Sequence, residues 1–178
     1  ETDLGVLKRA TEAGLGELGK CKSCDVVNVP ITLSDYGPGL QQKVQQALLQ
    51  NPDTDAVMVE ADSMLATGGI AALKSAHLWG KVVISGGEGS EEMVAVMRNY
   101  PAPWAFGVFP VQWEAYASMD ALNRIFNGVK PVAQTGMGLQ LVDHDHNLPA
   151  SGNVLMPTKA GKPIDFAAAY KKAWSSGS

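Results

Sequence analysis

The sequence predicts an α/β protein in which a Rossmann-like parallel sheet is flanked by helices. Short apolar runs at residues 55–60 and 81–85 are continuous rather than alternating, which is typical of parallel strands covered on both faces. An amphipathic stretch follows each run, so that strand, loop and helix recur roughly every 25–30 residues, as in βαβ units. The chain has 178 residues, of which 46% are hydrophobic, and is therefore long enough for one sizeable core.

The spacing of apolar residues and the helix-breaking residues predict the first secondary-structure elements. Apolar residues at near-helical spacing, preceded by a capping Thr or Asp, predict a helix over residues 3–19. The apolar run at residues 24–29 predicts a strand. A helix over residues 41–50 ends at Asn51-Pro52, because the residue before a proline disfavours the helical conformation.

The remaining elements repeat the same alternation until the last quarter of the chain. Asp62 or Ser63 can cap the predicted helix over residues 64–76, which follows the strand at residues 55–60. Gly128 can terminate the long helix over residues 111–127. The predicted strands here are residues 55–60, 81–85 and 104–108. The predicted helices are residues 64–76, 91–98, 111–127 and 166–173, with an extended segment at 131–142 and no clear period over 143–161.

Charge and hydropathy exclude two classes of partner. The net charge is −4 and the isoelectric point is near 5.3, which argues against nucleic acid as a general partner. No uncharged run reaches the roughly 18 residues that indicate a transmembrane helix, so we expect no stable membrane insertion. The chain begins at Glu1 with neither an initiator Met nor a signal peptide, and we expect it to be processed or cut from something longer.

Cys21 and Cys24 are the only cysteines and form one Cys-x-x-Cys pair. A four-thiolate zinc site needs a second pair, which is absent. A thioredoxin-like motif would follow a strand and open a helix, whereas this pair follows a predicted helix. A local disulfide that closes the turn is favoured and would indicate an oxidising compartment, while two free surface thiols are the other interpretation.

The strongest candidate for a binding site is the loop Gly86-Gly87-Glu88-Gly89-Ser90. It follows a predicted strand and opens a helix, and open α/β sheets bind ligands at the carboxyl ends of their strands. The loop lacks a Lys-Ser/Thr pair, and Glu88 would repel a phosphate, so a nucleotide is disfavoured. The alternative is that the glycines only permit a tight turn.

A second polar segment, Glu60-Ala61-Asp62-Ser63, ends the preceding predicted strand and should reach the same edge of the sheet. Glu60 and Glu88 together could bind a polyol, because a carboxylate accepts hydrogen bonds from two hydroxyl groups. Asp62 is alternatively a helix N-cap. Trp104, Phe109 and Trp113 flank Pro110 and could stack on a sugar face.

Two other chemistries are disfavoured. His144-Asp145-His146 suggests a metal, but alternation along an extended chain places the two imidazoles on one side and the carboxylate on the other, and no third ligand is identifiable. A surface loop is therefore favoured. The chain has no Gly-x-Ser-x-Gly and no recognised order of nucleophile, acid and His, and we predict neither a catalytic residue nor a cofactor.

An ordered series of segments resembles the C-terminal part of type I periplasmic sugar-binding proteins, the solute receptors of sugar ABC importers. The segments are residues 45–52, 55–73 (DAVMVEADSMLATGGIAAL), 81–90 (KVVISGGEGS) and 106–128 with Pro131, and the similarity spans roughly residues 1–142. The family is related to the sugar-sensing domain of lac-repressor-type regulators. The Cys21-x-x-Cys24 pair is also similar to one in some exported members.

The resemblance implies two Rossmann-like lobes that are joined by crossovers and hold the sugar between them. Residues 1–107 would form most of the second lobe, residues 108–142 a crossover and a helix of the first lobe, and residues 143–178 the return crossover and tail. The remainder of the first lobe would lie upstream, so the two-lobe protein would be incomplete here. The family's ligand contacts would map to Glu60, Ala61, Asp62, Gly86, Gly87, Glu88 and Val108.

The resemblance favours a non-enzymatic sugar receptor that closes on a hinge and delivers its ligand to an ABC transporter permease. Such a receptor is periplasmic or extracellular, either secreted or lipid-anchored. Ala61 and Val108 stand where many members have polar residues, which leaves the sugar class open. One alternative is the effector domain of a transcription regulator. Another is an α/β carbohydrate-active enzyme with Glu60 and Glu88 as its carboxylates.

Overall fold

A computed structural model describes residues 4–152 and 154–176 and shows a mixed α/β protein. Four strands form an open sheet in the order β1-β2-β3-β4. The strands are β1 (Ala56–Val59), β2 (Val83–Gly86), β3 (Trp104–Val108) and β4 (Gln140–Asp143). The predicted α/β class is therefore confirmed.

The sheet is mixed, which corrects the expectation of an all-parallel sheet. β1, β2 and β3 run parallel, with Val57 opposite Ile84 and Ile84 opposite Trp104. β4 pairs antiparallel with β3, and Phe106 lies opposite Val142. The parallel strands are joined through helices, whereas the long excursion through residues 109–139 returns the chain to the free edge of β3 from the opposite direction.

Helices flank this sheet at nearly the predicted positions. They are α1 (Gly5–Leu18), α2 (Pro38–Gln50), α3 (Asp62–Met64), α4 (Ile70–Ser75), α5 (Glu91–Met97), α6 (Val111–Phe126) and α7 (Phe166–Ser175). A π-helical turn over Leu65–Gly69 joins α3 to α4, so the single helix predicted over residues 64–76 is interrupted. The interruption lies at Gly68, where a Cβ would come within 2.8 Å of the Gln41 backbone nitrogen of α2.

The strand predicted at residues 24–29 is absent, and this prediction is wrong. These residues have no regular secondary structure, and the Val27 side chain is 52% exposed. A strand is stabilised by a ladder with a neighbour, and no described strand pairs with this segment. Its end is held instead by packing, because Ile31 is buried against Leu40 and Met64.

The core lies on one face of the sheet, so the expectation of strands covered on both faces is wrong. Burial alternates along the strands, and Met58, Val83 and Leu141 on the opposite face are exposed. Fully buried side chains come from the strands and from the helices that cover them, and they include Ile84, Phe106, Val142, Leu65, Leu73 and Met97. Tyr100 is also buried, and its hydroxyl donates to the carbonyl of Val82 at 2.6 Å. This packing positions the carboxyl ends of β2 and β3, where the loop residues discussed below emerge.

The C-terminal helix α7 is attached to α6 by one buried carboxylate and a group of aromatic rings. Asp120 accepts hydrogen bonds from Arg124 Nε at 2.6 Å and from Trp174 Nε1 at 2.9 Å. The ring of Phe166 is stacked on Trp113, with centroids 5.5 Å apart, and Trp174 is stacked on Tyr116. The hydrogen bond from Arg124 holds the pKa of Asp120 below its usual range, although burial opposes this effect.

The lowered pKa means that the folded state favours the ionised form of Asp120. Asp120 should therefore stabilise the fold fully above the pKa of the unfolded state, near 3.9. This stabilisation should disappear as the pH falls through the lower pKa of the folded state. We expect Asp120→Asn to reduce the free energy of unfolding by about 1–3 kcal/mol at pH 6. Urea denaturation at several pH values should show the difference from wild type shrinking below pH 4. A difference that stays constant down to pH 2.5 would refute this role.

Candidate functional site

A cavity of about 300 Å³ lies at the carboxyl ends of β2 and β3. Three of the predicted site residues, Glu88, Val108 and Phe109, line it. The other lining residues come from the start of α5, from α6 and from the C-terminal segment: Gly89, Ser90, Glu91, Pro110, Val111, Gln112, Trp113, Val154, Met156 and Phe166.

The loop after β2 has a backbone that only glycine accommodates. Gly86 has φ of +100°, and a Cβ there would overlap the carbonyl oxygen of Val59 in β1. That carbonyl accepts a hydrogen bond from the Gly87 N–H at 2.9 Å. Gly87 has φ of +72°, and a Cβ there would overlap Asp62 Oδ1. The glycines therefore provide both the turn and the close approach to β1 and α3.

Asp62 holds this loop in place. Its carboxylate is buried and accepts the backbone N–H of Glu88 at 2.9 Å and that of Ser90 at 2.6 Å, one on each oxygen. The Glu88 carbonyl in turn accepts the N–H of Phe109 at 2.8 Å. The loop is thus bonded to α3 on one side and to the end of β3 on the other.

These contacts change the expected role of Asp62. It is the first residue of α3 and makes no side-chain cap hydrogen bond there, so the N-cap interpretation is wrong. It does not line the cavity either, because its carboxylate is buried against the loop backbone. Asp62 therefore positions Glu88 through the backbone instead of lining the cavity itself.

Glu88 is one of the two acidic residues, with Glu91, that line the cavity. The Glu88 side chain is half-buried, and no described residue donates a hydrogen bond to its carboxylate. Burial raises the pKa of Glu88, and the nearby charge of Asp62 raises it further. Glu88 therefore offers a ligand an acceptor group that the described chain leaves without a hydrogen-bond donor.

Val108 and Phe109, which are both apolar, line the cavity together with Glu88. Val108 is buried in the core and packs so closely beneath Gly89 that a Cβ at Gly89 would overlap its side chain. Phe109 is 41% exposed at the rim of the cavity. An exposed ring beside a carboxylate combines a stacking surface with a hydrogen-bond acceptor.

The other predicted site residues lie outside this cavity. Glu60 follows β1 and accepts a hydrogen bond from the Thr11 hydroxyl of α1 at 2.5 Å. Ala61 is buried, and Gly86 and Gly87 shape the loop without lining the cavity. Glu60 and Glu88 are therefore not brought together in this cavity.

The part of the cavity wall that the C-terminal segment forms was not predicted from the sequence. Val154, Met156 and Phe166 reach the cavity from a segment with no periodic pattern, across more than 40 residues of chain from β3. Phe166 opens α7, and its position after Asp165, whose side chain caps that helix through the Ala168 N–H, was the available local signal. The contact itself depends on tertiary packing that no local spacing reveals.

The histidine and cysteine motifs lie away from the cavity. His144 Nε2 is 2.9 Å from the Tyr100 carbonyl oxygen, and His146 Nδ1 is 2.9 Å from Asp143 Oδ1. Among the described residues, no group of three or more His, Cys, Asp or Glu side chains is placed to hold a metal ion. Cys21 and Cys24 are joined in a disulfide in the turn after α1.

Comparisons with protein-family models, curated proteins and solved structures found no match to this chain. Over residues 4–152 and 154–176, no helix has both the length and the apolar character that crossing a membrane requires.

Asp62→Ala should remove both acceptors that the loop uses. Two backbone N–H groups lose their partner, and we expect the free energy of unfolding in urea to fall by about 2–3 kcal/mol. The exposed turn residue Asp53 provides the control, because Asp53→Ala should change stability by less than about 0.5 kcal/mol. Equal effects of the two substitutions would show that Asp62 does not hold the loop.

Gly86→Ala should be more destabilising than the same change at Gly161. Both glycines have positive φ, but a Cβ at Gly161 meets nothing within 4 Å, whereas one at Gly86 overlaps Val59. We expect a loss of about 1 kcal/mol at Gly161, from backbone strain alone, and at least about 3 kcal/mol at Gly86. Urea denaturation of both variants would reveal the difference, and similar losses would contradict the close approach of the loop to β1.

Proposed function

We propose that this protein is a non-catalytic sugar receptor, related to type I periplasmic binding proteins, that binds a monosaccharide or similar polyol and delivers it to an ABC importer. The observation that carries the proposal is Glu88, which lines a cavity at the carboxyl ends of parallel strands and whose carboxylate has no hydrogen-bond donor from the described chain. Sugar hydroxyls are suitable donors, and the Phe109 ring offers a surface for the apolar face of a sugar ring.

The charge of the cavity narrows the ligand class. Glu88 and Glu91 are the charged residues among those that line it, and no Lys, Arg or His is present there. An anionic ligand would meet two like charges with no compensating cation. The proposal is therefore for a neutral sugar, in preference to a sugar acid or a sugar phosphate.

A second feature supports a two-lobe receptor. The face of α6 toward α7 carries Trp113 and Asp120, which are both buried. The other face is apolar but exposed, with Val111, Met119, Leu122, Ile125 and Phe126 at helical spacing, and Phe126 is 85% exposed. A helix that is apolar on two faces is typical of an element between two packed bodies, as expected if α6 belongs to a first lobe.

Hinge closure then provides the mechanism. A ligand that contacts both lobes only when they meet shifts the population toward the closed form, as in periplasmic binding proteins, and needs no covalent chemistry. The Cys21–Cys24 disulfide supports a periplasmic or extracellular location, because such bonds persist in oxidising compartments.

An NMR titration of the 178-residue chain tests the proposal. The probes are D-glucose, D-galactose, D-ribose and D-xylose, with D-glucuronate and D-galacturonate as anionic counterparts. At least one neutral sugar should shift the amide signals of Glu88 and Phe109, and the matching acid should bind more weakly. Absence of any shift across the panel would contradict the proposed function.

Glu88→Gln tests whether the carboxylate makes the contact. Replacing a charged acceptor by an amide should weaken binding of the sugar about tenfold while the fold is retained. Glu92→Gln is the matched control, since Glu92 is exposed in α5, the helix that follows the loop of Glu88, and does not line the cavity. Equal affinities for the two variants would exclude Glu88 as a ligand residue.

A further inference from the structure

A second cavity, of about 260 Å³, lies between α6 and α7 and is called the α6–α7 cavity below. The chain between α6 and β4 forms another side of it, through Gln134 and Thr135. Trp113 and Phe166 also line the cavity that contains Glu88, whereas every other lining residue of the α6–α7 cavity differs. The two cavities are therefore separate spaces that border the same pair of rings.

The charged groups of the α6–α7 cavity neutralise each other. Asp120 and Arg124 are the charged residues among those that line it, and they form an ion pair with Arg124 Nε 2.6 Å from Asp120 Oδ2. An anionic ligand would meet the Asp120 carboxylate beside a cation that is already paired. The cavity therefore favours a ligand without net charge.

This ion pair keeps hydrogen-bonding capacity that the described chain does not use. Arg124 donates through Nε, and neither of its terminal nitrogens donates to another described residue. The Asp120 carboxylate accepts one hydrogen bond on each oxygen, from Arg124 and from Trp174, although a carboxylate has about four acceptor positions. Arg124 and Asp120 therefore offer a ligand a donor and an acceptor next to each other.

Most of the remaining lining is apolar, and part of it is flat. The rings of Trp113 and Phe166 are stacked with an interplanar angle of 9°, and the ring of Tyr170 also lines the cavity. Aromatic rings pack well against such surfaces. The volume lies just below the roughly 300–1,000 Å³ that small-molecule sites usually span, so the cavity suits a small aromatic molecule.

We propose that the α6–α7 cavity is a second binding site, for a small neutral aromatic carboxamide. A primary carboxamide carries a carbonyl oxygen beside an NH2 group. The oxygen accepts a hydrogen bond from a terminal nitrogen of Arg124, the NH2 group donates to the Asp120 carboxylate, and the aromatic ring lies against Trp113, Phe166 and Tyr170. This proposal does not depend on sugar binding at the cavity that contains Glu88, and either function can fail while the other stands.

NMR titration of the 178-residue chain with benzamide and with nicotinamide tests the proposal. At least one of them should shift the backbone amide signals of Arg124 and Thr135. Benzoate, the anionic counterpart of benzamide, should bind at least about tenfold more weakly. No shift with either carboxamide, shifts confined to Glu88 and Phe109, or equally tight binding of benzoate would overturn the proposal.

Ala169→Leu tests the location of the ligand. Ala169 lines the α6–α7 cavity and not the cavity that contains Glu88, so a larger side chain there should fill the space and weaken carboxamide binding at least about tenfold. Ala168→Leu is the matched control, because Ala168 is exposed in the same helix and lines neither cavity. Equal affinities of the two variants would overturn the assigned location.

Arg124→Lys tests the hydrogen bond from the guanidinium group. Lysine keeps a cation beside Asp120 but replaces the planar set of donors by one ammonium group. We expect the affinity for the carboxamide to fall about tenfold while the chain remains folded. An unchanged affinity in the folded variant would exclude Arg124 as the donor and contradict the proposal.

Discussion

The Asp62 carboxylate determines the geometry on which the rest of the site depends. It lies buried at the start of α3 and receives two N–H groups from the loop that follows the neighbouring strand. A buried carboxylate is stabilised only when its charge is compensated by hydrogen bonds, and here the loop backbone provides them. Glu88 is consequently held beside the cavity by its own main chain, so that its side chain remains available.

Asp62 and Glu88 have different roles because their carboxylates lie in different environments. Asp62 is bonded to backbone N–H groups and is removed from solvent, whereas Glu88 lies at the cavity with no described donor. Burial raises the pKa of Glu88, and the charge of Asp62 raises it further. The glycines at positions 86, 87 and 89 allow this pair to approach closely.

Local pattern predicted most of the elements because their spacing is a property of neighbouring residues. The helix predicted over residues 111–127 matches α6, and the strand at 104–108 coincides with β3. The prediction of a strand at residues 24–29 was wrong, because a strand needs a hydrogen-bonded neighbouring strand, which local sequence spacing does not reveal. Phe166 was missed for a similar reason, since its contact with Trp113 joins residues 53 positions apart.

The most direct test of this account is amide hydrogen exchange, measured by NMR, at Glu88 and Ser90. If the Asp62 carboxylate holds the loop, these two N–H groups should exchange at least about a hundredfold more slowly than an unstructured chain of the same sequence, although both lie in a loop. Exchange of both amides at the rate of an unstructured chain would contradict the account, because the loop would then not be fixed and Glu88 would have no defined position at the cavity.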